Sequence, residues 1–195
     1  MKKLEIILGV VALISLALYL FLVPGSAMIL LLSLTSLSII YFYFSFALFN
    51  GVKGRNIFKK SSYVDLKTMR IVGSIPAGIA LAITITGISF IIFQWPGARL
   101  NLQIGIIALS LVIIICAINY LRNKEAFYFS ILKRTIAFDI IGLILLLLPQ
   151  YALLEFRYRD FPEYVEAFKR ASEDPTNQDL QEQLEQEQLK VDQEK

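Results

Sequence analysis

The stretch IVGSIPAGIALAITITGISFIIF (71–93), QWPGARLN (94–101), LQIGIIALSLVIIICAINYL (102–121) sets two uninterrupted apolar runs on either side of a Pro96-Gly97 turn. A helix needs about 20 apolar residues to cross the hydrocarbon of a bilayer. In lipid its backbone polar groups must be satisfied within the segment, which excludes an open strand. Each run therefore predicts a membrane-spanning helix, and the tight turn makes the pair a hairpin. Three further runs qualify, at 6–23, 27–49 and 136–154. The expected fold is an all-α integral membrane protein. Five transmembrane helices occupy 1–154, and an acidic, helical extramembrane tail occupies 155–195.

Composition agrees. The chain has 195 residues, 56% hydrophobic and 18% charged, with mean hydropathy +0.63; soluble domains carry about 45–50% apolar and about 25% charged residues. Histidine is absent and Cys116 is the single cysteine. That excludes a histidine-based triad, an imidazole metal site and an internal disulfide. No catalytic group, metal or cofactor is expected. The first run follows Lys2, Lys3 and Glu5 like a signal peptide, but Val23-Pro24-Gly25-Ser26 leads straight into the second run without a cleavage pattern. It reads as a span.

Lysine and arginine set orientation. Connection 50–70 carries Lys53, Arg55, Lys59, Lys60, Lys67 and Arg70, and connection 122–134 carries Arg122, Lys124, Lys133 and Arg134. The turns at Pro24-Gly25 and Pro96-Gly97 hold only Arg99 between them. The basic connections are expected in the cytoplasm, with the N-terminus inside and the C-terminus outside. The net charge of +3 divides into +9 over 1–154 and −6 over 155–195. A basic inner face suits anionic lipid, and no nucleic-acid-binding module accompanies the basic residues.

A shift of 72 residues lays the first helix pair on the second. Phe21 and Pro24-Gly25 fall on Phe93 and Pro96-Gly97; Ser15 falls on Gly87 and Ser33 on Gly105. Both hairpins start on the same side, so this reads as a parallel repeat, followed by a fifth helix. Chance matching among apolar segments is the competing explanation. Ser62-Tyr63-Val64-Asp65 has capping-box spacing for an early start of the third helix, and Ile57, Phe58 and Val64 among the lysines suit a headgroup-level segment. In the tail, Phe161, Tyr164, Val165 and Phe168 recur at helical spacing behind Pro162, and Asp174-Pro175 breaks the pattern. The Glu/Gln-rich helix expected beyond it, Gln178–Gln193, has a thin stripe, Leu180 and Leu184, and reads as a frayed, solvated end rather than a partner helix.

Ionisable groups within a span are functional candidates by default. Asp139 has two readings. It is a proton- or cation-binding carboxylate facing the bundle interior, or a structural carboxylate about one turn past Lys133 and Arg134 that reaches them or water. Glu5 reads as a boundary residue. Ser74-x3-Gly78-x3-Ala82, with Gly87 and Gly105, forms a set of small residues suited to close helix packing. Pro76 and Pro149 interrupt the hydrogen-bond ladders at Val72 and Leu145. Gln94, Asn101 and Gln103 surround the Trp95-Pro96-Gly97 turn, where satisfying its backbone is their simplest role.

The run Gly87-Ile-Ser-Phe-Ile-Ile-Phe93-Gln-Trp-Pro96-Gly97-Ala98, followed by Leu102-Gln-Ile-Gly105, resembles the N-terminal membrane hairpin of the GldL family. That family is the inner-membrane subunit of the gliding-motility and type IX secretion motor of certain Gram-negative bacteria. The resemblance covers about 70–121, with a fainter copy at 4–49, and implies a bacterial inner-membrane location with the turn in the periplasm. The family's motor glutamate falls near Leu109, where this chain has no carboxylate, so motor activity is not implied.

The leading expectation is a non-enzymatic assembly subunit that packs in the bilayer with a membrane-protein partner or with copies of itself. The alternative is a proton- or cation-linked transporter or channel element using Asp139. A third reading makes Arg157, Arg159, Asp160 and Glu163 an enzyme's residues at the outer surface; an interfacial anchor explains the same residues without catalysis.

Overall fold

The computed structural model describes residues 1–64, 66 and 68–193. Its architecture is all-α: α1 (Lys2–Leu20), α2 (Ser26–Phe49), α3 (Thr68–Ile92), α4 (Ala98–Asn123), α5 (Ala126–Leu147), α6 (Ala152–Arg157), α7 (Pro162–Glu173) and α8 (Gln178–Gln193). The first four are long and apolar enough to span a membrane. α3 lies at the centre, packed on α2, α4 and α5, while α1 packs on α2. Accordingly, 67% of the α3 span is buried in the bundle, against 17% of the α1 span.

The hairpin turns are built identically. α1 and α3 each end in a Schellman arrangement, with Val23 N–H bonded to Leu18 O and Leu22 N–H to Tyr19 O, matched by Trp95 to Phe90 and Gln94 to Ile91. Leu22 and Gln94 adopt positive φ, 60° and 55°, to make it. Gly25 and Gly97 then open the next helix at φ 77° and 73°, a region closed to most L side chains. Proline stands between, where continuing the preceding helix is no longer required.

Close approach of backbones explains the small residues. A Cβ on Gly87 would lie 2.7 Å from Leu102 Cα, and one on Gly105 would lie 2.7 Å from Thr84 Cα, so α3 and α4 touch main chain to main chain. Gly78 meets Ser45 and the Tyr41 carbonyl of α2 in the same way. Ser74 and Ala82 are buried on that stripe, and Ser38 of α2 donates to Ala82 O at 3.2 Å. Ser15 and Ser33, the counterparts of Gly87 and Gly105 in the first hairpin, are also buried.

Four features differ from the sequence expectation. The 122–134 connection shrinks to 124–125, because α4 runs to Asn123 and α5 already begins at Ala126. Lys133 and Arg134 are thus helical. The expected single run 136–154 is divided: Leu148 is extended (φ −66°, ψ 148°), as favoured before proline, and Pro149 has no N–H with which to continue the ladder. α6 is a separate helix beyond the break. Beyond Arg134 only 135–147 of α5 remains, about 20 Å of helix at 1.5 Å per residue, and that part contains Asp139. α5 is not one of the four helices that meet the length and polarity of a span.

The third difference lies at the start of α3. Ser62 falls within a short 3-10 helix, Lys60–Tyr63, and α3 begins at Thr68; the Asp65 half of the expected capping box lies outside the described residues. The fourth is the tail. α8 does not stand in solvent but packs on α7, and Val191, with Leu184 beside it, joins Leu154, Tyr158, Tyr164 and Val165 in a small core. The sequence stripe Leu180–Leu184 was too thin because Val191 completes it two turns later. Asn177 caps α8 by accepting from Asp179 N–H at 3.1 Å. The Tyr164 hydroxyl is held well above the ordinary tyrosine range, first by burial and then by Tyr158 beside it.

Gly87→Ala or Gly105→Ala, each forcing α3 from α4, is expected to lower stability by about 1–3 kcal/mol, seen as a reduced thermal midpoint of the detergent-solubilised protein. Gly73→Ala, whose Cβ meets nothing within 4 Å, leaves the midpoint unlowered.

Candidate functional site

Three polar sites stand out from the apolar bundle. The first joins helices far apart in sequence. Glu5, one turn into α1, accepts from Arg134 of α5 through both carboxylate oxygens (Nε–Oε1 2.5 Å, Nη2–Oε2 2.8 Å). The Tyr41 hydroxyl of α2 donates to the same carboxylate at 2.5 Å. Arg134 Nη1 donates to the carbonyl and hydroxyl of Ser130, and the guanidinium lies 5.7 Å from the Phe49 ring centre. The Arg134 and Glu5 side chains are 17% and 12% exposed, and Tyr41 is buried. A bidentate Arg–carboxylate pair with its remaining donors satisfied is the form in which charge persists in an apolar interior. Glu5 is therefore more than a boundary residue: it is the acid that neutralises Arg134.

The second site is Asp139. It sits on the inward stripe of α5, with Ile131, Thr135 and Gly142, all buried. Asp139 is 9% exposed, and among the described residues its Oδ1 has no hydrogen-bond partner. The suggestion that Asp139 reaches its basic neighbours does not describe this arrangement, since Arg134 is committed to Glu5 and Lys133 lies 4.4 Å over the Phe129 ring. Gly142, one turn on, lets α5 close on Leu102 and Ile106 of α4. Phe138, the residue preceding Asp139, packs edge-on against Tyr41 at 5.9 Å.

The third site is at the turn end. Tyr19 of α1 donates to Ile92 O at 3.4 Å and packs edge-on against Phe93, which stacks on Trp95. Arg157 of α6 lies 3.6 Å over the Tyr19 ring, and Arg159 lies 5.9 Å over Phe21. These arginines hold the tail on the first hairpin turn. Asp160 sits 3.7 Å from its neighbour Arg159, and Glu163 is exposed in the first turn of α7. The four residues proposed for an outer-surface enzyme are thus spread along an anchor and a helix start.

Of the polar groups around Pro96-Gly97, Gln94 donates to Ile91 O at 2.8 Å and so satisfies the turn backbone. Arg99 Nη2 donates to Leu148 O at 2.6 Å, closing the C-terminal end of α5. At the opposite end of the bundle Arg70 forms a forked contact with Glu125 (2.7 and 3.1 Å), tying the start of α3 to the α4–α5 connection. Neither contact is visible from spacing, because each links residues about 50 positions apart.

No family model, curated protein or solved structure matches this chain.

Arg134→Met, which leaves the Glu5 carboxylate buried without its partner, is expected to lower stability by about 3–5 kcal/mol. The double variant Glu5→Gln/Arg134→Met regains much of that loss in thermal unfolding, since both charges are then gone.

Proposed function

We propose that this chain is a non-enzymatic membrane subunit whose role is assembly: it packs in the bilayer with a membrane-protein partner or with further copies of itself. The observation that carries this reading is how the polar side chains are used. Glu5, Tyr41 and Arg134 lock helices together, Arg70 and Arg99 tie connections, and Arg157 and Arg159 seat the tail. What remains for contact includes a folded tail whose net charge is −6.

In this reading α5 crosses with the other four helices, helped by Arg134 being neutralised by Glu5, and the two hairpins form a parallel repeat. Five backbone hydrogen bonds that recur at an offset of 72 support the repeat, including Ser26 N–H to Val23 O beside Ala98 N–H to Trp95 O. The basic connections face the cytoplasm, where Phe58, 92% exposed among lysines, meets the lipid surface. The tail faces the periplasm of a bacterial inner membrane, as the resemblance to the GldL hairpin implies. Leu109, near the place of that family's motor glutamate, is fully buried, which fits packing rather than ion flow.

Asp139 supports a second reading, a proton- or cation-linked path, because one carboxylate oxygen is buried without a partner. The two separate cleanly. Under assembly, crosslinking in native membranes captures a defined higher-order species, and a strictly monomeric protein with no co-purifying partner ends that reading. Under transport, purified protein in liposomes conducts protons or cations, and Asp139→Asn abolishes the flux. An unchanged flux removes Asp139 from the role.

A further inference from the structure

A cavity of about 470 Å³ lies between the second hairpin turn and the tail. Its floor is the turn and first turn of α4, from Gln94 to Leu100; its roof is Tyr151 with Phe168, Ala171 and Ser172 of α7. We propose that this cavity binds a phosphate ester carrying an apolar group, with Arg99 as its anion-binding residue. The site goes beyond the assembly reading and does not require it.

Charge makes the first argument. The tail carries an acidic excess, with net charge −6 over 155–195, yet no aspartate or glutamate lines the cavity. Arg99 is its sole ionisable charge. Among the described residues Arg99 uses Nη2 on Leu148 O, and its other terminal nitrogen, Nη1, makes no hydrogen bond. A guanidinium with donors to spare is suited to phosphate oxygens. The first turn of α4, which borders the same space, has no side-chain cap at Gly97. Beyond Ala98, whose N–H bonds to Trp95 O, the N–H groups of Arg99 and Leu100 add to the positive potential. Gln94 and Ser172 supply neutral polar atoms.

Shape makes the second argument. The opposite side of the cavity is aromatic and aliphatic, with Trp95, Tyr151, Phe168, Ile91 and Leu100. An inorganic anion needs no such wall, whereas a phosphate bearing an alkyl or acyl chain does. Trp95 and Tyr151 at the end of apolar helices also match the level of lipid headgroups. The shared chemistry is a phosphate ester, and its source is either an anionic lipid headgroup or a soluble phosphate ester.

Trp95 is the chain's sole tryptophan and lines the cavity, so its fluorescence reports occupancy directly. The full-length protein in neutral detergent is titrated with phosphatidylglycerol, with diacylglycerol of the same chains, and with butyl phosphate. A saturable Trp95 response to phosphatidylglycerol and not to diacylglycerol is expected. A response to butyl phosphate as well identifies a soluble ester as sufficient; its absence identifies the lipid headgroup. Arg99→Gln should weaken binding roughly tenfold or more, the effect of losing one charge-assisted contact. Because Arg99 also holds Leu148, Ala171→Phe serves as a second variant that fills the cavity and leaves that bond intact; it should abolish the response. Arg170→Gln, outside the cavity, should bind as the parent does. Equal responses to diacylglycerol and phosphatidylglycerol, no response to either phosphate probe, or undiminished binding by Ala171→Phe overturns the proposal.

Discussion

A guanidinium and a carboxylate held together in an apolar bundle constrain much of this fold. Arg134 lies 129 positions from Glu5, and their forked contact draws the first long helix to the last. In surroundings of low dielectric neither charge is tolerable alone, so the pair demands a particular placement of α1 against α5. Tyr41 adds a hydroxyl from α2 to the same carboxylate, and its ring supports Phe138 on α5. Three helices are thereby fixed at one depth. α1 gains from this most, since little of its surface is buried by packing alone.

The two ends of the bundle are secured by different physics. Toward the basic connections the contacts are ionic: Glu5 with Arg134, and Glu125 with Arg70. Toward the turns they are aromatic, a sequence of rings from Trp95 through Phe93 to Tyr19 that ends under the Arg157 guanidinium. Between the ends, α3 is held by shape, because its glycines admit the backbones of α2 and α4. Cation–π contact suits an interfacial depth, where a guanidinium keeps partial access to water while its flat face rests on a ring.

This division bears on function. Most arginines of the membrane portion and of α6 close the fold; Arg99 does so through one nitrogen and still borders a cavity. Among the described residues, the side chains left with an unpartnered polar atom include the Asp139 carboxyl within the bundle and the Arg99 guanidinium beside the tail cavity. They lie on different helices and at different depths. A carboxyl enclosed among apolar helices and a guanidinium at the mouth of a cavity attract opposite ligands, so the two sites can be tested independently.

Much of the fold was legible in the chain itself. Apolar runs of 18 residues or more specify helices because lipid offers the backbone no other partner. Pro24-Gly25 and Pro96-Gly97 specify turns because proline cannot extend the preceding helix and glycine alone enters left-handed φ readily. The small residues Gly78, Gly87 and Gly105 announced close packing for the same local reason. The site was less legible. Glu5 looked peripheral and Arg134 looked like a loop residue, since neither carries a trace in sequence of a partner 129 positions away. Asp139 could be named as an ionisable group in an apolar run, but not as one whose basic neighbours are already committed elsewhere. The seating of α8 depended on Val191, which counts only once α7 is folded beneath it. Local backbone chemistry is written residue by residue, and the sequence alone determined the four long apolar helices, their turns and their small faces. Which charge meets which, and which is left without a partner, depends on the relative placement of whole helices, and only the tertiary structure decided that.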